Sequence, residues 1–210
     1  MRLQPAYELD SRGRWLLIRR FATPEEVGVL YTKIVRHFAR GELQPNPSGP
    51  HRFFAKVDSA PHIFVDSLLT DLTLRCGRLL GMCNMPADCA LGRTFSLIQP
   101  GGFIHRHRDA YHAGQPGHRP GSDHLRANIV VRMRHHSGYP VIEGEQLPVA
   151  EGDLWAFYAS RSLHETNMVL GDDHRIVIGF GWSVPVNHSF LEYGDDISAQ
   201  ACFTPPTTSR

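Results

Sequence analysis

The first half of the chain carries apolar residues at helical spacing. In the first of two such stretches they recur every three or four positions, at Val27, Leu30, Ile34 and Phe38. Thr23 is suited to cap this stretch, Pro24 fits the first helical turn, and Glu26 completes a capping box. The pattern predicts an α-helix that runs to about Arg40 and ends at Gly41, because glycine readily adopts the left-handed conformation found at helix ends.

Three further segments of this half have distinct patterns. Residues 14–21 form a short apolar run that predicts an early strand, whereas residues 42–50 are rich in proline and predict a loop. A second helix is predicted from about Asp66 to Leu80. Its buried face is expected to contain Leu68, Leu69, Leu72, Leu79 and Leu80.

From about residue 94 the pattern changes to short apolar runs separated by glycine, proline and polar residues. These runs occupy residues 94–100, 126–133, 139–144, 146–150, 153–158 and 174–182. Such spacing is typical of an antiparallel sandwich or barrel. We therefore predict a mainly β protein with flanking helices, a jelly roll with helices packed against one sheet. The 210 residues are expected to form a single domain, with a helical N-terminal part at about 1–90 and a β-core at about 91–185.

Composition narrows the class of protein and of partner. The formal net charge of +1 indicates neither a nucleic-acid partner nor an acidic membrane surface. No apolar run approaches the length of a membrane-spanning helix, and the first residues contain no apolar leader segment. Cys76, Cys83 and Cys89 lie close together without a CxxC pair, which favours reduced thiols over a disulfide framework or a zinc site. We expect a cytoplasmic protein.

Histidine is the unusual residue type, with 13 copies, many of them between residues 105 and 136. His107 and Asp109 are two residues apart, so on an extended segment their side chains point to the same side. His164 follows the predicted strand at 153–158 and is the best candidate for a third ligand. Two histidines and one carboxylate form the facial triad that holds non-haem Fe(II) and leaves coordination positions open for a cosubstrate and dioxygen.

Other interpretations of these histidines remain open at this point. His105 has the same parity as His107, so a cupin-like metalloenzyme can use His105, His107 and His164 without a keto-acid cosubstrate. A non-catalytic, metal- or ligand-binding β-sandwich is a second alternative. The remaining histidines of this region lie in a glycine- and proline-rich insert and are interpreted as loop residues: His112, His118 and His124.

Arg175 opens the apolar strand predicted at 174–182, eleven residues after His164. An arginine on a core strand is costly unless an anion pairs with it. A guanidinium binds a carboxylate through two parallel hydrogen bonds, so the remote carboxylate of 2-oxoglutarate is one candidate partner. A salt bridge with Asp172 or Asp173 at the preceding turn is the other.

Several segments in the order found here resemble the aspartyl/asparaginyl β-hydroxylases, a family of Fe(II)- and 2-oxoglutarate-dependent oxygenases. Residues 95–102 leading to His107 and Asp109 resemble the entry to the family's metal motif, and residues 125–130 resemble its next strand. The later matching segments are residues 143–145, 151–157, 163–167 and 175–178. The resemblance covers roughly residues 94–184.

The resemblance implies a double-stranded β-helix fold, with Fe(II) held by His107, Asp109 and His164. It also implies that Arg175 binds the remote carboxylate of 2-oxoglutarate. Ser96 and Arg126 match positions that help to hold the cosubstrate, and Asn128 stands where the family commonly has a histidine. The insert at residues 110–124 lies beside the metal motif, which makes it a candidate lid or substrate-selecting loop.

The implied reaction is hydroxylation of an unactivated C–H bond by dioxygen, with release of succinate and carbon dioxide. Cationic residues near the metal motif favour an amino acid, a peptide or a carrier-bound aminoacyl group as substrate; they are Arg106, Arg108, Arg119, Arg132 and Arg134. Trp155 and Trp182 are expected in the core.

Overall fold

The computed structural model of the chain describes residues 6–82, 92–110 and 119–193. The first helix, α1, spans Pro24–Ala39. Both hydrogen bonds of its capping box are present, because the Thr23 hydroxyl accepts the Glu26 amide and the Glu26 carboxylate accepts the Thr23 amide. After the helix, Gly41 has a φ of 71°, so the predicted start and end of α1 are confirmed.

The second helix, α2, spans Ser67–Leu79, and the Asp66 side chain accepts the amide of Leu69 at its N-terminus. A 3₁₀ turn at Pro61–Phe64 precedes it. Leu69, Leu72 and Leu80 of the predicted face are fully or almost fully buried, together with Cys76. Among the described residues, no helix is long and apolar enough to span a membrane.

The strands of the described chain range from two to 11 residues in length. They are β1 (Tyr7–Leu9), β2 (Trp15–Ile18), β3 (Gln44–Pro45), β4 (Arg52–Lys56), β5 (Arg93–Ile98), β6 (Ile104–His107), β7 (Ser122–Arg132), β8 (Pro140–Ile142), β9 (Glu145–Gln146), β10 (Leu154–Tyr158), β11 (His164–Thr166) and β12 (Arg175–Pro185). A 3₁₀ turn at Phe190–Tyr193 follows β12.

The described strands form two antiparallel sheets. The larger sheet has the order β1-β2-β10-β7-β12-β5-β4-β3, and the smaller has the order β6-β11-β8-β9. The prediction of a mainly β jelly roll with helices is therefore confirmed. The N-terminal part contributes the two helices and also four strands to the larger sheet. One of these, β3, lies in the segment predicted as a loop, and β1 and β4 carry no strong sequence signal.

The two faces of the larger sheet have different roles, as the alternation along β12 illustrates. Ile176, Ile178 and Phe180 belong to the main hydrophobic core, which also contains the buried residues of both helices. Val177 belongs to a second core between the two sheets, and Arg175 lines the cavity there. Because side chains alternate along a strand, one face of the larger sheet packs in the main core with the helices. The opposite face lines the cavity that contains the polar site.

Candidate metal centre

Strands β6 and β11 bring the three predicted metal ligands together. His107 and His164 are directly opposite each other in the pairing of these strands. Asp109 follows β6, and each of the three residues offers a ligand atom within 4.8 Å of the other two. The Oδ1 atom of Asp109 lies 3.4 Å from Nε2 of His107 and 3.5 Å from Nε2 of His164. These distances suit one ion between the three side chains.

The other ring nitrogen of each histidine is already engaged. Nδ1 of His107 lies 2.7 Å from the carbonyl oxygen of His105, and Nδ1 of His164 lies 3.0 Å from the carbonyl oxygen of Ser162. A carbonyl can only accept, so each Nδ1 carries the proton in these bonds. The Nε2 lone pairs therefore face Asp109 and are available to a metal.

The side chains of Arg126 and His124 both contact Oδ2, the second carboxylate oxygen of Asp109. Nη2 of Arg126 lies 2.9 Å from Oδ2, and Nδ1 of His124 lies 3.0 Å from the same atom. Burial alone would raise the pKa of Asp109, but Arg126 and the three surrounding histidines hold it well below its ordinary value. Asp109 is thus an oriented carboxylate whose Oδ1 points to the two Nε2 atoms.

His124 corrects the sequence interpretation. It was expected to be a loop residue, and it lies instead on β7 with 1% of its surface exposed. The residues before His124 are rich in glycine and proline, so the start of that strand was not predicted. The other two histidines of the insert, His112 and His118, lie outside the described residues.

The pKa values of the two candidate ligands shift in opposite directions because their surroundings differ. Burial lowers the pKa of His164, which favours the neutral imidazole that a metal requires. The hydrogen bond to Asp109 raises the pKa of His107, which is more exposed to solvent. A metal ion would bind the neutral form of both rings, in competition with a proton on Nε2.

The candidate metal site opens into a cavity of about 260 Å³ between the two sheets. All the residues predicted to hold a cosubstrate line it, namely Ser96, Arg126, Asn128 and Arg175. The apolar part of the wall includes Trp155, Phe157 and Val177. Trp155 and Trp182 are both buried, as predicted.

The guanidinium of Arg175 is buried and is suited to bind an anion. Only 3% of its surface is exposed, and burial lowers the pKa of its guanidinium to about 10, so it stays cationic at neutral pH. Its Nε atom is buried and has no hydrogen-bond acceptor among the described residues. Both aspartates of the preceding turn pair elsewhere, because Asp172 lies 3.3 Å from His135 and Asp173 pairs with Arg132. The salt-bridge alternative for Arg175 is therefore not what the structure shows.

The other three predicted cosubstrate residues have more varied contacts. Arg126 pairs with Asp109, so in this structure its guanidinium supports a candidate metal ligand. Ser96 accepts a hydrogen bond of 3.3 Å from Nε of Arg52. Asn128 is 6% exposed and lies on β7 between Trp155 and Gly179 of the neighbouring strands.

Arg52 is a cavity residue that the sequence interpretation missed. It opens β4, is 8% exposed and lines the same cavity as the metal triad. Arg52 and Lys56 stand at the two ends of this short strand, and cations at both ends are typical of an exposed edge strand. The sequence therefore did not indicate that Arg52 is buried. By contrast, His105, Arg106, Arg108 and Arg134 are exposed, and none of them lines this cavity.

Comparison with known proteins assigns the fold to a class. No family model and no curated protein matches the chain, but many solved structures do. The architecture is the double-stranded β-helix of the Fe(II)/2-oxoglutarate-dependent oxygenases, which confirms that part of the resemblance. A prolyl-4-hydroxylase from Pseudomonas putida is 19% identical, with a TM-score of 0.51, and the match covers 83% of this chain and 94% of that one.

Two further structures are similar over comparable lengths. HygX from Streptomyces hygroscopicus, solved with nickel and 2-oxoglutarate bound, is 12% identical with a TM-score of 0.58, and 85% of each chain is covered. SnoK, a non-haem α-ketoglutarate-dependent carbocyclase from nogalamycin biosynthesis, is 12% identical with a TM-score of 0.62, and 86% of each chain is covered. At these identities the similarity establishes the fold, and the chemistry must be argued from the site.

Proposed function

We propose that this protein is an Fe(II)- and 2-oxoglutarate-dependent dioxygenase. One observation carries the proposal: a cavity that holds two histidine Nε2 atoms and one carboxylate oxygen also holds the buried guanidinium of Arg175, which has no acidic partner among the described residues. The triad fits a ferrous ion, and the guanidinium fits the remote carboxylate of a keto acid. Two independent features of one cavity thus match the two cofactors of this enzyme class.

Each group has a defined task in this proposal. His107, Asp109 and His164 hold the metal, while Arg126 and His124 fix the orientation of Asp109. Arg175 fixes the cosubstrate, and Ser96 and Asn128 are within the same wall. When bound, Fe(II) and 2-oxoglutarate supply the oxidising chemistry, in which dioxygen hydroxylates a C–H bond and 2-oxoglutarate becomes succinate and carbon dioxide.

The protein contributes positioning and the exclusion of water. Trp155, Phe157 and Val177 form an apolar wall beside the triad, which limits solvent access to the reacting centre. Cavities for complete ligands usually measure about 300–1,000 Å³. The space of about 260 Å³ therefore suits the keto acid together with one side-chain-sized portion of a substrate.

The substrate class and the subfamily belong to the proposal as well. We infer an amino acid, a peptide or a carrier-bound aminoacyl group, and a relationship to the aspartyl/asparaginyl β-hydroxylases, from the resemblance of residues 94–184. The similarity to prolyl hydroxylases is compatible with a peptidyl substrate. A cytoplasmic location, with neither nucleic acid nor membrane as partner, completes the proposal.

Anaerobic calorimetry tests the cofactor set directly. Protein loaded with Mn(II) is expected to bind 2-oxoglutarate, and Arg175→Gln is expected to weaken that binding about tenfold or more, because a buried carboxylate loses a bidentate partner. Arg132→Gln is the matched control, since Arg132 lies outside the cavity in a pair with Asp173. Tight metal binding without any binding of 2-oxoglutarate would favour a cupin-like metalloenzyme. Absence of metal binding would exclude the enzyme proposal.

A further inference from the structure

The cavity contains a second buried guanidinium that the proposed cofactors do not use. Arg52 lines the cavity and makes no ion pair with a described residue. Its acceptors are neutral: the Ser96 hydroxyl, the Asn46 side-chain oxygen at 3.3 Å and the Ser48 hydroxyl. Two of its three nitrogens make these bonds, and Nη2 donates to no described residue. A buried cation satisfied only by neutral groups is costly to retain.

Arg52 is held in place rather than free to swing into solvent. Asn46 accepts from Nη1 of Arg52 and also from the amide and hydroxyl of Ser48. The carbonyl oxygen of Ser48 accepts the amide of His105, at 2.9 Å, on the strand that carries His107. At Gly49 an added Cβ would lie 1.8 Å from the carbonyl oxygen of Phe103, so only glycine permits this close approach. The segment that supports Arg52 is thus fixed against the metal-binding strand.

The guanidinium groups of Arg52 and Arg175 lie on the same face of the larger sheet. Arg52 on β4 and Arg175 on β12 are both opposite Ile98 of the strand between them. Neighbouring strands are about 4.8 Å apart, so the two Cα atoms are separated by about 10 Å. Burial lowers the pKa of Arg52 to about 9, and repulsion from Arg126 and Arg175 contributes to that shift. Like charges are thus collected around a cavity with too few acids to neutralise them.

Counting the charges in the proposed complex leaves an excess of cations, because Arg52, Lys56 and Arg175 line the cavity with a single further carboxylate among the described residues, Glu165. Fe(II) and dianionic 2-oxoglutarate cancel each other, and Asp109 pairs with Arg126. Arg175 pairs with the remote carboxylate of the cosubstrate. The total charge of the cosubstrate, however, is already balanced by the ferrous ion. Glu165, the other carboxylate in the wall, makes no ion pair with Arg52. An additional anion beside Arg52 is therefore favourable.

We propose that Arg52 binds a carboxylate of the substrate, which makes the substrate an acid rather than a neutral compound. The inference rests on the proposed function and specifies its substrate class. Nη2 of Arg52 donates to no described residue, so this edge of the guanidinium is available for a charge-assisted hydrogen bond to a singly charged carboxylate. Ser48 and Asn46 orient that edge, and the carboxylate fixes the distance between the charged end of the substrate and the C–H bond presented to the metal.

Calorimetry on paired probes tests the inference. Protein loaded anaerobically with Mn(II) and 2-oxoglutarate is titrated with N-acetylglycine, N-acetyl-L-aspartate and N-acetyl-L-glutamate, and with the corresponding carboxamides. We expect at least one acid to bind wild type about tenfold more tightly than its amide. Arg52→Gln is expected to abolish this preference, and Arg52→Lys to retain only part of it because the planar fork is lost. Arg106→Gln, which removes an exposed charge near the metal motif, is expected to keep it.

The same samples separate this inference from the function on which it depends. Binding of 2-oxoglutarate to Arg52→Gln is expected to stay within about threefold of wild type, whereas Arg175→Gln loses it. A tenfold loss of 2-oxoglutarate binding in Arg52→Gln would show that Arg52 anchors the cosubstrate, and the inference would be wrong. It is also wrong if wild type does not prefer any acid, or if the preference survives in Arg52→Gln. Should Arg52→Gln fail to fold, a reduced preference for the acid in Arg52→Lys supports the inference, and an unchanged preference in that variant contradicts it. A wild type that binds no 2-oxoglutarate would overturn the proposed function itself.

Discussion

Nη2 of Arg126 lies 2.9 Å from Oδ2 of Asp109, so a residue that the family resemblance assigns to the cosubstrate contacts a candidate metal ligand. The pairing leaves Oδ1 of Asp109 facing His107 and His164. Groups that orient metal ligands typically change metal affinity by about 10–100-fold when they are removed. A substitution of Arg126 is therefore expected to change the metal affinity.

We expect Arg126→Gln to weaken Mn(II) or Co(II) binding by about tenfold or more, because Asp109 loses its charged partner and its fixed orientation. Competition titration against a chelating dye measures the change. Arg132→Gln is the control, since it removes an arginine–aspartate pair at the far end of the same strand. Unchanged metal affinity combined with weaker 2-oxoglutarate binding would instead support the role implied by the resemblance.

The histidine pair on β6 separates two classes of metal site. His107 is within the triad, whereas His105 is exposed and contacts the Phe103 ring at 4.9 Å between centroids. We expect His107→Ala to abolish metal binding and His105→Ala to leave it within about threefold of wild type, because three ligands set the affinity. Metal titration of the two variants measures this. A loss of affinity in His105→Ala would favour the cupin-like ligand set.

Much of the fold was predictable because its signals are local. The capping box of α1 lies within four residues, and β10 and β12 contain continuous apolar runs. Strand β4 was not predicted, since Arg52–Lys56 has cations at both ends and only three residues between them. Its identity depends on pairing with β5, some forty residues later in the chain, and no local pattern reports such pairing.

The candidate metal site was also predictable only in part. His107 and Asp109 were predictable because their spacing places both on one side of an extended segment, and His164 because it follows a strand of strong apolar character. The support for Asp109 was less accessible, since His124 and Arg126 reach it only when β7 lies beside the end of β6. The cavity role of Arg52 depends in turn on three neighbouring strands. His124 and Arg52 were the residues that sequence reasoning misplaced or missed, because their partners are distant in sequence and neither belongs to a recognisable motif.

Gly138 provides an indirect test of the cosubstrate anchor. It has a φ of 71°, and an added Cβ would lie 2.7 Å from Cδ of Arg175. We expect Gly138→Ala to displace the Arg175 side chain and to weaken 2-oxoglutarate binding about tenfold, with metal affinity unchanged. Calorimetry on Mn(II)-loaded protein measures both.

The control for Gly138→Ala is Gly144→Ala. Gly144 also has a positive φ, of 82°, but an added Cβ there meets no atom within 4 Å. Both variants should lose about 1 kcal/mol of stability from backbone strain, and only Gly138→Ala should affect the cosubstrate. Equal 2-oxoglutarate affinities in the two variants would contradict the assignment of Arg175.

Asp10 gives the fold a predicted pH dependence away from the metal site. Its carboxylate accepts hydrogen bonds from the amides of Arg12 and Arg14 and from the Arg14 guanidinium at 2.7 and 2.9 Å. The Arg14 side chain is the main cause that lowers the pKa of Asp10 to about 2, in the turn between β1 and β2. A carboxyl group whose pKa is lower in the folded state stabilises the fold above its unfolded pKa, and this contribution is lost as the pH falls towards 2.

We therefore expect Asp10→Asn to destabilise the protein by about 1 kcal/mol at neutral pH, a value reduced for the partial exposure of Arg14. The difference from wild type should shrink between pH 4 and pH 2, because wild type loses its carboxylate in that range while the variant has none to lose. Urea unfolding at a series of pH values measures the free energies. Asp58→Asn, at an exposed carboxylate without an ion pair among the described residues, is expected to show no such convergence. A stability difference for Asp10→Asn that stays constant down to pH 2 would mean that packing of the turn, rather than the charge of Asp10, carries the effect.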